Sequence, residues 1–272
     1  MTKEVRVIVL AGNGINCEME TAHACKLAGA DTVDIVYLWD LAAGKADLKS
    51  YNLLCLPGGF LDGDDLGSAR ASAIRIRHTK VAEETLAAQI EKFVADGGLA
   101  IGICNGFQLM VKLGLLPMLD GDIGHQQATL TWNDSGRFED RWVELAVDPD
   151  SPCVFTKGLK RLSLPIRHGE GKIIVQDDHT LEKLNFAHQI PLRYIDPATG
   201  EPTEKYPENP NGSRLGMASF TDSTGRLLGM MPHPEGFLHR TNHPQWTRRD
   251  LPEEGDGLAI FKGAVNYLRS MA

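Results

Sequence analysis

The run Leu99-Ala100-Ile101-Gly102-Ile103-Cys104-Asn105-Gly106-Phe107-Gln108-Leu109-Met110 limits the fold of this chain more than any other stretch. Its first five residues are apolar apart from glycine, as expected of a central strand covered on both faces of a parallel sheet. FQLMVKL then reads as a helix. A strand that passes into a helix through Cys-Asn-Gly is a G-x-C-x-G nucleophile elbow. Gly102 and Gly106 let strand and helix approach closely, and the turn pushes the sulfur out at the carboxyl edge of the sheet. The helix N-terminus supplies unpaired N–H groups and partial positive charge, which favour a thiolate. The plain alternative is a buried, inert cysteine; the two flanking glycines at the junction favour the nucleophile.

The surrounding pattern alternates in the same way. Val5–Leu10, Thr32–Leu38, Tyr51–Leu56 and Leu99–Ile103 read as strands; Glu18–Ala28 and Val81–Ala95 read as helices. This predicts an α/β fold, flavodoxin-like and doubly wound, with a mostly parallel sheet. After Pro117, short strands are expected at Gln127–Trp132, Trp142–Val147, Ile173–Gln176, Leu192–Ile195 and Met217–Thr221. They predict an antiparallel extension of the same sheet in the second half, with few helices before Gly257–Met271. Arg226–Met231 returns to the parallel layer. Asp196–Ser213 reads as a long loop between strands, of the kind that usually has a function or moves. With no linker visible, residues 1–272 are expected to be one domain.

A thiol nucleophile needs a base. His233-Pro234-Glu235 follows the strand-like LLGMM and should also lie at a carboxyl edge, with Glu235 orienting the imidazole of His233. Alone, H-P-E would be a surface turn; with the elbow it completes a Cys104–His233–Glu235 triad. Pro57-Gly58-Gly59 closes another parallel strand. The N–H of Gly59, with that of Asn105, would form an oxyanion hole.

Other features say less. Gly12-Asn13-Gly14 lacks the third glycine of a dinucleotide fingerprint, with Cys17 in its place, so no such cofactor is expected. His168-Gly169-Glu170-Gly171 is either a ligand loop or a turn. His239 and His243 have no third ligand at a suitable spacing and are expected to be solvated. Arg70, Arg75, Arg77, His78 and Lys80 form either a charged helix start or a contact for a partner or phosphate.

Charge and cysteine usage exclude some classes. A net charge of −8 gives no support to a nucleic-acid or membrane partner. The five cysteines are irregularly spaced and contain no C-x-x-C, which argues against a disulfide framework or a zinc site and for a reducing cytoplasm. Neither a leader nor a spanning segment is expected.

GICNGFQLM resembles the elbow of class I, triad-type glutamine amidotransferases. The wider set resembles more closely the glutaminase subunits of phosphoribosylformylglycinamidine synthase. It comprises LPGGF with Gly63-Asp64, GLLPML at Gly114–Leu119, RWVEL at Arg141–Leu145, LPIRHGEG at Leu164–Gly171, NPNGS at Asn209–Ser213 and LGMMPHPEG at Leu228–Gly236. The resemblance implies that Cys104 attacks the amide of glutamine, His233 shuttles the proton and Glu235 orients it. Gly59 and Asn105 would hold the oxyanion, and Gln108, Phe60 and His168 would meet substrate. It further implies ammonia delivery to a synthetase subunit carrying ATP and magnesium, often with a small third subunit, and no cofactor or metal on this chain. The rival readings are a class I amidotransferase or γ-glutamyl hydrolase with another acceptor, and a silent glutamine-binding regulatory subunit. Three stretches depart from the family pattern: GGFLDGDDLGSARAS is longer and more acidic, Gly236 replaces an arginine, and FLHRTNHPQWTRR lengthens the tail.

Overall fold

The computed structural model describes residues 3–271. In chain order the first half contains β1 (Arg6–Ala11), α1 (Glu18–Leu27), β2 (Thr32–Tyr37), α2 (Leu38–Ala42), β3 (Leu53–Leu56), α3 (Arg70–His78), β4 (Lys80–Val81), β5 (Glu84–Thr85), α4 (Leu86–Ala95), β6 (Leu99–Ile103) and α5 (Asn105–Leu113). The second half contains β7 (Ala128–Thr131), β8 (Glu139–Val147), β9 (Arg161–His168), β10 (Lys172–Val175), α6 (Asp178–Phe186), β11 (Leu192–Tyr194), β12 (Ser219–Thr221), β13 (Leu227–Met230) and α7 (Asp256–Ser270).

The main sheet runs β12-β13-β6-β3-β1-β2. The last five of these strands are mutually parallel, and β12 pairs antiparallel with β13. Strand order reverses between β1 and β3, so their carboxyl ends flank the crevice where open α/β sheets bind ligands. Apolar burial explains the layers. β3 and β6 are buried throughout, and α4 turns Leu86, Ile90, Phe93 and Val94 inward at helical spacing. α1 packs beside α7, and α3 beside α4 and α5.

The expected doubly wound fold is present, with differences that have physical causes. The helix expected over Val81–Ala95 begins at Leu86; residues 80–85 form the small β4–β5 hairpin, and Thr85 caps α4 by accepting the amide of Ala88 at 3.2 Å. Of the middle strands only β12 extends the main sheet. The others form two separate antiparallel sheets, β10-β7 and β11-β8-β9. β9 was not read from sequence because Pro165 interrupts its pattern. It lies at a sheet edge, where a missing N–H is tolerated. α6 was also missed; Asp177 caps it by accepting the amide of Thr180 at 2.7 Å. No helix among the described residues is long and apolar enough to cross a membrane.

Candidate active site

Cys104 stands between β6 and α5 with φ 51° and ψ −106°, a left-sided conformation that costs a β-substituted residue about 1–3 kcal/mol. The neighbouring packing holds it there. Its amide donates to Met230 O at 2.8 Å, and its carbonyl accepts from the amide of Gln108 at 3.0 Å. Gly106 makes the close approach possible: a Cβ there would lie 1.8 Å from Leu56 O. The Cys104 thiol lies 3.6 Å from Arg167 O.

His233 follows β13, and its amide donates to Pro165 O at 2.8 Å, joining the parallel edge to β9. Its Nδ1 lies 2.5 Å from Glu235 Oε1, with both side chains buried. His233 Nε2 and Glu235 Oε2 have no partner among the described residues. Burial pulls the imidazole down, but Glu235 and the sulfur of Cys104 outweigh it and hold His233 well above its ordinary value.

Cys104 and His233 meet around Gly58. A Cβ on Gly58 would sit 2.8 Å from His233 Cε1, 3.4 Å from Cys17 Sγ and 3.5 Å from Cys104 Cβ. Only a glycine leaves room for this convergence. Cys104 and His233 line one cavity of about 810 Å³, which Gly59, Phe60, Gln108 and His168 also line. Gly59 has φ 141°. Neither its amide nor that of Asn105 donates to a backbone carbonyl among the described residues. The side chain of Asn105 is occupied: Oδ1 accepts the Leu61 amide at 2.9 Å, and Nδ2 donates to Asp64 Oδ2 at 2.9 Å and Gln108 Oε1 at 3.0 Å. Gln108 Nε2 donates to Glu170 O at 2.6 Å, so both ends of that carboxamide are engaged within the protein. Phe60 is half exposed at the mouth, together with Leu66, Trp132 and Phe138.

His168 is buried in the facing wall. Its Nδ1 lies 3.0 Å from Asn133 Oδ1, an acceptor, so Nδ1 carries the proton and Nε2 keeps its lone pair. Burial, aided by the charge of His233, lowers its pKa to about 3. Two contributors to the site escaped the sequence reading. Cys17 registered only as a missing glycine, yet its sulfur sits beside His233. Asn133 carried no motif at all; it is recognisable only once the fold brings it to the HGEG turn. The tail histidines require a correction. His239 is exposed beside Glu253, whereas His243 is buried between Trp142 and Phe237, with ring centroids 4.6 and 5.7 Å away. On α3 the basic cluster serves the fold: Arg75 pairs with Asp62 at 3.0 Å and Arg77 donates to Lys112 O at 2.8 Å. A second cleft of about 760 Å³, bordered by Arg6, Lys49, Tyr51 and Phe93, contains neither a cysteine nor a histidine.

Residues 4–268 match the family described as CobB/CobQ-like glutamine amidotransferase domain. The chain is 43% identical over 270 residues to the phosphoribosylformylglycinamidine synthase subunit PurQ of Dehalococcoides mccartyi, covering 98% of this chain and 99% of that protein. This chain belongs to the PurQ family. It is 41% identical to PurQ of Methanococcus maripaludis strain C5, covering 96% and 98% of the two chains. Among solved structures, PurLQS from Thermotoga maritima contains a chain that superposes with a TM-score of 0.70 at 29% identity, covering 98% of this chain and all of that one. The PurQ fold is therefore the frame on which the elbow, the His-Glu pair and the two glycines are mounted. PurQ proteins are the glutamine amidotransferase subunits of a purine-biosynthetic synthase, so the chain is an enzyme component of that class.

Proposed function

We propose that Cys104, His233 and Glu235 carry out glutamine hydrolysis. The sulfur of Cys104, its proton already passed to His233, adds to the side-chain carbonyl of glutamine. That proton goes to the departing nitrogen, the C–N bond breaks and ammonia leaves, with a γ-glutamyl thioester on Cys104. Water then attacks and gives its proton to His233. The C–S bond breaks, glutamate is released, and the proton returns to sulfur. Glu235 orients the ring through Nδ1. The free amides of Gly59 and Asn105 would hold the oxyanion, a donor of this kind being worth about 10²–10³ in rate. Phe60, Gln108 and His168 would bound the glutamine.

The observation that carries this reading is the convergence of Cys104 and His233 at Gly58, with Glu235 at 2.5 Å from the far side of the ring. The exposed apolar rim of Phe60, Leu66, Trp132 and Phe138 supports the partner part of the reading. The ammonia passes to a synthetase subunit that uses ATP and magnesium to make formylglycinamidine ribonucleotide, with a small third subunit in the assembly. This chain needs no cofactor or metal for its own reaction. It acts as a single amidotransferase domain in the cytoplasm, where its thiols stay reduced.

The test is mass spectrometry after exposure to a glutamine-analogue electrophile. The expected result is one label, on Cys104, suppressed by glutamine. A label placed elsewhere, or one indifferent to glutamine, would overturn the reading. Adding the synthetase and formylglycinamide ribonucleotide should yield amidine; intact glutaminase activity without amidine would point to another acceptor.

A further inference from the structure

Cys17 lies at the end of the β1 loop, immediately before α1, and is not needed for the hydrolysis described above. Its sulfur, a ring nitrogen of His233 and a carboxylate oxygen of Glu235 all lie within 4.8 Å of one another, and all three residues are buried. Two atoms of this group, His233 Nε2 and Glu235 Oε2, have no hydrogen-bond partner among the described residues. The sulfur lies against the His233 ring and 3.2 Å from Asn16 Oδ1.

We propose that Cys17, His233 and Glu235 form a site for a zinc-class divalent cation, and that its occupancy shuts off the chemistry at Cys104.

The donor set argues for this class of ion. One thiolate, one imidazole and one carboxylate suit borderline-soft zinc and do not suit magnesium or calcium, which take oxygen. Three protein ligands leave a fourth position for water. On binding, the Cys17 thiol and the His233 imidazolium each release a proton to solvent, and sulfur, nitrogen and oxygen each donate an electron pair to the cation; nothing is oxidised or reduced. Inhibition follows whichever ring nitrogen is taken. Nε2 is the nitrogen that would exchange the proton with Cys104, and Nδ1 is the one Glu235 holds. The Asp148, Asp150 and His188 grouping lacks these features: Asp148 and His188 are half-buried, Asp150 is exposed, and it offers no thiolate.

The inhibitory half of this proposal rests on His233 being the base; the binding half does not, and the two can be read separately. Cobalt(II) added to the purified, reduced chain reports binding through its visible spectrum. One equivalent is expected to give the d–d absorption of a tetrahedral site and a thiolate-to-cobalt band. Cys104→Ala should keep both, and Cys17→Ala should lose the thiolate band. Losing the hydrogen-bond partner of a ligand costs about 10–100-fold in affinity, so losing the ligand itself should cost at least about 100-fold. Cys17→Ser, close in size, checks that the loss is not unfolding, with circular dichroism alongside. In a chelator-buffered glutaminase assay, zinc should inhibit the unsubstituted chain, and the Cys17 variants should need at least about 100-fold more free zinc for the same fractional loss. A thiolate band that survives in both Cys17 variants, or one lost in Cys104→Ala, would overturn the site. Tetrahedral cobalt binding without zinc inhibition would keep the site and overturn the shut-off.

Discussion

At the sheet edge, Cys104 is held by main chain: its amide on Met230 O, its carbonyl on the Gln108 amide, and Gly106 pressed against Leu56 O. On the facing wall, His168 ends β9 opposite Glu139 of β8, and its ring is held by one side chain. Asn133 Oδ1 accepts from both His168 Nδ1 and the Gly171 amide at 3.0 Å, and Asn133 Nδ2 donates to His168 O at 2.8 Å and Arg137 O at 2.9 Å. Behind it Asn211 donates to Gly171 O at 2.8 Å. The aim of the sulfur can change only by moving strands; the aim of the His168 ring and the turn at Gly171 can be undone one carboxamide at a time. The difference teaches why chemistry that tolerates little displacement is aimed by main chain rather than by a single side chain.

The largest expected effect is on the reaction. Glu235→Gln should leave the fold intact and lower kcat for glutamate release by about 10³–10⁴, with KM little changed, because the ring loses its orienting charge. Gly106→Ala should destabilise by about 3 kcal/mol or more, read as a lower denaturation midpoint, since the clash is with backbone. Gly171→Ala is the matched probe: its Cβ would meet the His168 ring at 2.3 Å, and a ring can turn where a strand cannot. A loss at Gly171 as large as that at Gly106 would break the comparison. Asn133→Ala should cost about 2–3 kcal/mol by orphaning buried partners, with a larger rise in KM than fall in kcat if that wall bounds the substrate.

His168 supplies a pH test. Its pKa is about 3 in the folded chain, against an ordinary 6.5. Between these values the unfolded chain binds the extra proton. The stability contribution is therefore complete above about pH 6.5 and falls as pH is lowered toward 3, by at most about 1.4 kcal/mol per unit. Urea midpoints across that range should show the slope, and His168→Gln should flatten it. The smallest effect is expected at Phe186, which is 88% exposed. Phe186→Ser should change stability by less than about 0.5 kcal/mol.

The same contrast explains what the sequence revealed. β6, the elbow and the H-P-E turn are specified locally, by a run of apolar residues and by glycines at fixed spacing, so Cys104, His233 and Glu235 stand out as candidates before any coordinates. The facing wall is assembled by bonds between distant segments: Asn133 to His168, and Asn211 to Gly171. No local pattern marks such a residue. β9 was hidden by Pro165, because strand periodicity is judged as if every position must donate. Cys17 was hidden by its setting in a loop whose glycines suggested a different use. His243 was misjudged because a histidine beside a proline reads as solvent-facing until Trp142 and Phe237 are seen on either side of it.

The carboxamide of Asn105 joins three groups: the amide of Leu61, the carboxylate of Asp64 and the side chain of Gln108. The segment from Phe60 to Ala69 that borders the opening is thereby leashed to the residue next to Cys104. Lifting that segment means parting hydrogen bonds worth about 1 kcal/mol or more each. Whatever presses on this lip from outside also tugs at the turn that carries Cys104, so lip and turn share a single tether.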